Sequence, residues 1–395
     1  MDETYKTRPV LWSADFIRIC LANFTAFTSL YFIMPTLPLY VKQLGGTEAV
    51  VGLVVGIFTF SAVAIRVVIG RALDEWGRRS IYLGALGILS IAAIGYQWAG
   101  TVAGLLAVRV LYGFGWGASH TAAGTVAADI IPASRRGEGM GFFGLSNTLA
   151  MTIGPAAGVF IGVEWGFPIL FNLAGLCALI GLALAYSIRY RPVQAAAGPR
   201  GSFIEPAALP FAAISFCCTT IYGGIVAFMT LYALEQGITN PGVYFSVFAV
   251  AVIVARPIAG RLYDRSGMRV VMAPGLLLVT LSMLILGVSD HPVLFLLSGV
   301  FMGLGFGATQ PTLQAMVITV VDPQRRGTAT ATLTLGADFG IGTGAMLLGL
   351  IAQTVGYATM YLYSTVGGII ALILYFWYEH HTVSSDESGV RVDDQ

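Results

Sequence analysis

Long apolar runs alternate along this chain with short clusters rich in Gly, Pro, Arg and Asp. Twelve runs are long enough for a helix to cross ~30 Å of hydrocarbon, which takes roughly 20 residues at ~1.5 Å of rise each. In the first half they lie near 12–41, 49–70, 80–99, 101–123, 139–161 and 166–188. In the second they lie near 208–233, 242–262, 270–289, 292–314, 328–351 and 356–378. None shows the two-residue alternation of a barrel strand, and an open sheet would leave unsatisfied edges in lipid. The pattern predicts an all-α membrane protein of twelve transmembrane helices. The first run, about 30 residues from Trp12, is too long for the apolar core of a cleavable signal peptide.

Composition agrees. The chain is 56% apolar and 10% charged, against about 25% charged for a soluble domain, so most of its surface must meet lipid. Of the 21 Lys and Arg residues, 17 fall on one side if the N-terminus is cytoplasmic. These are Lys6, Arg8 and Arg18, then Arg71, Arg78 and Arg79, then Arg135 and Arg136, then Arg189, Arg191 and Arg200. Arg261, Arg265, Arg269, Arg325, Arg326 and Arg391 complete the set. Lys42 alone falls opposite, and Arg66, Arg109 and Arg256 lie within spans. This asymmetry predicts a multi-pass protein of the plasma (inner) membrane with both termini cytoplasmic. A net charge of +1 without a basic block gives no expectation of nucleic acid. The four cysteines sit in apolar runs without metal-ligand spacing. No metal or cofactor is expected.

The two halves match at a constant offset of 190 residues. Arg66 through Arg71 answers Arg256 through Arg261, Asp74 answers Asp264, and Gly77 answers Gly267. Gly113, Gly115 and Gly117 answer Gly303, Gly305 and Gly307; Arg135-Arg136-Gly137 answers Arg325-Arg326-Gly327; Gly166 answers Gly356. The expected organisation is two pseudo-symmetric six-helix bundles, 1–188 and 208–379. A cytoplasmic linker, 189–207, joins them, and a cytoplasmic tail, 380–395, follows. Parallel repeats imply a solute site near midplane between the halves and alternating access by rocking.

At these residues the chain resembles the major facilitator superfamily over nearly its full length. Gly70-Arg71-Ala72-Leu73-Asp74-Glu75-Trp76-Gly77-Arg78-Arg79 is similar to that family's most specific signature, with a weaker echo around Asp264 and Arg265. Arg109 to Gly113 resembles its second motif, and Gly154-Pro155-Ala156-Ala157-Gly158 the motif associated with antiporters. Pro35-Thr36-Leu37-Pro38 is similar to the pattern of twelve-helix drug:proton antiporters. The resemblance implies a transporter and points to the exporter branch. It also implies that the first signature closes the cytoplasmic side when the cavity faces out. Many drug:proton antiporters carry a carboxylate deep in the first helix, where this chain has Asn23, Thr25, Thr28 and Ser29.

Physical reasons attach to individual residues. Gly70 permits close helix approach, and Asp74 can sit against a helix N-terminus or pair with Arg78 or Arg79. Together with Gly77, Asp264 and Arg265 these form an expected conformational latch. For the arginines alone, the positive-inside bias is the competing account. Arg109 lies about 12 Å deep on helix 4, where an ionised side chain costs ~2.5–3.5 kcal/mol to insert, and it is expected to face the central pathway. Asp338 lies about 15 Å into its span. It is read as a proton carrier, as a counter-charge to a cationic substrate, or as one side of a structural pair with Arg66. Asp15 and Arg18 have the spacing of a structural ion pair. His120 is a proton relay or a hydrogen-bonded helix-end histidine. Asn23, Tyr31, Tyr112, Tyr222, Gln310 and Gln314 are the remaining pathway candidates, with packing as the competing account of the aromatics. Pro155, Pro257 and Pro311 are expected to bend their helices.

Neither lysine follows a Gly-rich loop, so no Walker-type phosphate site exists, and no nucleophile or metal motif of an enzyme is present. The expectation is a non-enzymatic, monomeric secondary transporter coupled to protons that exports small organic molecules. A nutrient importer or uniporter, and a non-transporting membrane sensor, are the alternatives.

Overall fold

The computed structural model describes residues 11–190, 204–238, 240–322 and 325–389; within these, the side chains of Arg71, Asp74 and 382–389 are among those not described. Lys6, Arg8, Arg191, Arg200, Arg391 and most of the 189–207 linker therefore lie outside the described residues. Every regular element among the described residues is helical. The helices are α1 (Ala14–Ile33), α2 (Leu37–Gln43), α3 (Glu48–Glu75), α4 (Arg78–Gly95), α5 (Val102–Ile130) and α6 (Arg136–Glu164). They continue with α7 (Phe167–Tyr186), α8 (Leu209–Glu235), α9 (Gly242–Ser266), α10 (Arg269–Gly287), α11 (Pro292–Val320) and α12 (Arg326–Gly389).

Eleven helices among the described residues are long and apolar enough to cross a membrane, and one of them runs 56 residues, Arg326–His381. That is far more than the roughly 20 residues that one crossing takes. Gly356, at φ 80 and ψ 170, breaks it where the sequence separates its last two runs. Twelve crossings result. The first apolar run is likewise interrupted: α1 stops at Ile33 and Pro38 stands in the first turn of α2, because proline supplies no amide hydrogen to a continuing helix. The expected tail is partly helix, since α12 continues to Gly389.

The repeat is written into the backbone. All positive-φ residues among the described ones are glycines, and they fall into pairs: Gly77 with Gly267 and Gly166 with Gly356 at offset 190, and Gly45 with Gly237 at 192. The loop amides repeat as well, Arg135 N on Pro132 O at 2.9 Å and Arg325 N on Asp322 O at 2.8 Å. So do the helix starts. Thr101 accepts from Gly104 N at 3.1 Å, and His291 Nδ1 accepts from Val293 N at 3.2 Å, which satisfies an end amide of α5 and of α11.

Two compact units emerge, Met1–Met34 with Ser61–Gly198, and Pro35–Phe60 with Pro199–Gln395. In the first, α1 packs on α6 and α7, and α4 on α5 and α7. In the second, α8 packs on α12, α9 and α10 on α11, and α10 on α12, around a core that includes Phe211, Met272, Leu313 and Tyr375. Residues 35–60, expected in the first bundle, belong to the second unit. Large apolar side chains such as Ile91, Val163 and Ile373 are exposed, as lipid contact requires and water would penalise.

Candidate functional site

Within the first unit, close packing sets the positions of the polar groups. A Cβ at Gly115 would lie 2.7 Å from Leu89 N, and one at Gly117 2.8 Å from Ala62 Cα, so α5 sits against the backbones of α4 and α3. The same holds at offset 190 in the second unit, with Gly305 at 2.9 Å from Val279 N and Gly307 at 2.9 Å from Val252 Cα.

Arg109 is completely buried. Its Nη1 donates to Tyr96 Oη at 3.3 Å, and its guanidinium lies 6.0 Å from the Tyr112 ring centroid. Tyr112 Oη is 3.2 Å from Ser29 Oγ, and the rings of Tyr96 and Tyr112 meet edge to face. Arg109 thus joins α4, α5 and α1 in the interior of the unit. Arg109, expected to face the central pathway, is fully buried in this conformation.

Nearer the end of α5, Arg66 Nη2 lies 3.4 Å from His120 Nδ1. His120 stacks on Trp116 with an interplanar angle of 7° and meets Phe27 edge to face. Between α1 and α6, Asn23 donates to Ser146 Oγ at 2.8 Å and Tyr31 donates to Asn147 Oδ1 at 3.3 Å. The antiporter-like motif lies on the same seam. A Cβ at Gly154 would come within 2.5 Å of Tyr31 Cβ, and one at Gly158 within 2.7 Å of Phe32 Cα, with Pro155 inside the helix between them. Gly154 and Gly158 therefore act first as the surface on which α1 rests.

Of the expected latch residues, Arg78 pairs with Asp129 on α5, and the side chain of Asp74 lies outside the described residues. Arg79 lies over the Tyr186 ring at 5.0 Å. Burial pushes the pKa of the neighbouring Tyr190 hydroxyl up, and Arg79 partly offsets this. Gly70 is exposed, and among the described residues a Cβ there would meet nothing within 4 Å. Gly77 is needed for its φ of 83, which starts α4. Asp264 and Arg265 are exposed. Asp15 and Arg18 form the expected ion pair at 2.9 Å, and the carboxylate also accepts from Arg189 N.

Arg78 and Asp129 are each partly buried, so alanine at either is expected to lower stability by about 1–2 kcal/mol. The double variant should lose little more than one single variant, a non-additivity that thermal unfolding in detergent would measure.

In the second unit, Ser215 donates to Gln310 Oε1 at 3.4 Å, while Gln310 Nε2 is buried without a hydrogen-bond partner. One turn away, Tyr222 stacks on Phe306 and Phe248 at 4.8 and 5.8 Å. Gln314 is exposed. Asp338 is half-buried on α12, flanked by Gly336 and Gly340, which rest on α8 at Ala212 and Phe216. The structure thus joins Arg109 with Tyr112, His120 with Arg66, Asn23 and Tyr31 with α6, and Gln310 with Ser215. Sequence reasoning missed Asp129, Trp116, Glu48 and Tyr357. For Glu48 a signal existed, since it follows six residues after Lys42, one of two lysines in the chain.

Residues 19–245 and 239–391 match the family model described as Major Facilitator Superfamily. An uncharacterised MFS-type transporter of Methanocaldococcus jannaschii is 24% identical over 371 residues, 90% of this chain and 96% of that one. The staphylopine export protein of Staphylococcus aureus is 24% identical over 378 residues, 91% of this chain and 95% of that one. Among solved structures, a bacterial homologue of the human lysosomal transporter Spinster, inward-facing and occupied, superposes with a TM-score of 0.80 at 16% identity, covering 92% of this chain and 96% of that one. A point mutant of the nucleoside transporter NupG gives 0.79 at 14%, covering 92% and 99%. These likenesses establish the fold.

Proposed function

This chain belongs to the Major Facilitator Superfamily, and we propose from that premise that it is a monomeric, proton-coupled exporter of small organic molecules. It works by alternating access in the plasma membrane, with its arginine-bearing loops and both termini in the cytoplasm. The observation that carries this reading is the repeat of backbone contacts at offset 190, Gly115–Leu89 with Gly305–Val279 and Gly117–Ala62 with Gly307–Val252. Equivalent halves of this kind are what alternating access requires. Export draws support from the relative named as an export protein and from the Gly154–Gly158 seam on α1. Proton coupling draws support from Asp338, a half-buried carboxylate held on a rigid part of α12.

A substrate is first sought by thermal-shift screening of organic anions, cations and zwitterions. Protein in liposomes is then expected to move that compound in response to an imposed pH gradient. In Asp338→Asn the pH-driven component should fall at least about tenfold, corresponding to ~1.4 kcal/mol, while exchange at equal pH persists. Undiminished pH-driven transport in the variant would remove Asp338 from coupling, and movement in the uptake direction would remove export.

A further inference from the structure

Two features hold residues 35–60 to the second unit. The first is a glycine seat. α3 begins with Gly52-Leu53-Val54-Val55-Gly56 in its first turns, the spacing of small residues that lets membrane helices approach closely. A Cβ at Gly52 would overlap the Ala345 carbonyl oxygen and lie 3.1 Å from Met346 Cα; one at Gly56 would lie 2.6 Å from Met346 Sδ. From the other side, a Cβ at Gly349 would lie 2.8 Å from the Glu48 carbonyl oxygen. Thr230 on α8 donates to Pro35 O at 2.7 Å.

The second feature is polar. Glu48 Oε1 accepts from Lys42 Nζ and from Tyr357 Oη, the latter at 3.1 Å. Both donors use one oxygen, and that oxygen links α2, α3 and the second part of α12. The Glu48 side chain is 21% exposed and that of Lys42 34%, so water and protons reach them. The other titratable groups nearby are Tyr232, whose ring lies 6.1 Å from that of Tyr357, and Glu235, which acts electrostatically on Tyr357. The fold does not need this lock twice. At the offset of 192 that pairs Gly45 with Gly237, Leu234 and Asn240 stand where Lys42 and Glu48 would repeat, and Phe167 stands for Tyr357 at 190.

We propose that residues 35–60 are a detachable clasp, and that proton binding at Glu48 releases it from α8 and α12. Ionised Glu48 holds both Lys42 and Tyr357 through charge-assisted hydrogen bonds. Protonation removes the ion pair and weakens the acceptor for Tyr357, leaving the glycine seat and the Thr230–Pro35 hydrogen bond. Acid on this face therefore favours release, and α2 with the first part of α3 is then free to follow the half to which the repeat assigns it. The proposal rests on the transport reading above and gives protons a site of action on the face opposite the arginine-bearing loops.

The test uses full-length protein in lipid, with spin labels at Thr47→Cys and Thr354→Cys, both exposed positions, and the four native cysteines replaced by alanine. At about pH 7.5 a short distance should dominate. At about pH 3.5 a longer one should grow, with the long-to-short ratio rising several-fold, because a released glutamate titrates near ~4.3. Glu48→Gln should show the longer distance at both pH values, and Tyr357→Phe a smaller shift that keeps its pH response. Gly52→Leu, which unseats the clasp sterically, should give the longer distance at either pH. A wild-type distribution that ignores pH, or a pH response that survives intact in Glu48→Gln, would overturn the proposal. A normal distance response alongside transport that ignores pH gradients would sink proton coupling and leave the clasp standing.

Discussion

Leucine at Gly117 is expected to abolish most of the folded protein, and leucine at Gly307 to do the same to a similar degree. Each glycine holds α5 or α11 against the backbone of a neighbouring helix, where a Cβ would come within 2.8 or 2.9 Å of a Cα atom. Backbone cannot rotate away as a long side chain does, so the helices themselves must separate. Ordinary overpacking costs about 1–3 kcal/mol, and here each new side chain also breaks the contacts that bury its neighbours along the seam. Native stability is a small difference, commonly about 5–15 kcal/mol for soluble domains, so this loss is large. Gly84 and Gly124 are the controls, because a Cβ at either meets nothing within 4 Å; alanine there should be neutral or stabilise by roughly 0.5–1 kcal/mol. Yield of monodisperse protein in detergent and the midpoint of thermal unfolding read both effects. A Gly117→Leu protein with wild-type yield would show that α3 and α5 do not depend on this contact.

The paired sensitivity of Gly117 and Gly307 explains why so much of the fold was legible in sequence. The glycines recurring at offset 190 are turn and contact residues whose role is set by backbone geometry, and geometry of that kind leaves no choice of side chain. Gly77 and Gly166 start helices, Gly267 ends one and Gly356 breaks one, all at positive φ, so the repeat could be read from residue identity alone. The polar residues were less legible. Arg109 could be assigned a depth, but the helix around it is apolar on nearly every face, so its expected direction had no pattern behind it; in the structure it is buried within the first unit. Arg78 finds Asp129 because α5 runs past the start of α4, a neighbourhood that a loop motif does not encode. The clasp was hidden for a related reason: the division of the chain into halves by repeat is not the division by contact in this conformation.

Replacing Arg109 by leucine is expected to leave a protein that inserts and folds but transports at least about tenfold more slowly, a loss of ~1.4 kcal/mol or more. The side chain is fully buried, and a buried charge is a weak source of stability. Well-packed apolar replacements of buried ionic groups are often neutral or stabilising by about 1–4 kcal/mol, and insertion becomes easier by roughly 2.5–3.5 kcal/mol. If Arg109 were a purely structural tie, its removal should be felt first in stability. If it is retained for the working cycle, stability and transport should part company. Its contact with Tyr96, and through Tyr112 with Ser29 on α1, connects helices that must shift together while the unit stays intact. Arg109→Ala is expected to be worse on both counts, since it leaves a cavity and an unpartnered Tyr96 hydroxyl. Arg109→Lys should retain charge but lose transport, because an ammonium cannot reproduce a planar guanidinium lying near a tyrosine face. Thermal midpoints and initial transport rates measured side by side discriminate these outcomes. A leucine variant with wild-type rates would mean that this charge is only a passenger, and one with collapsed stability would make it a strut.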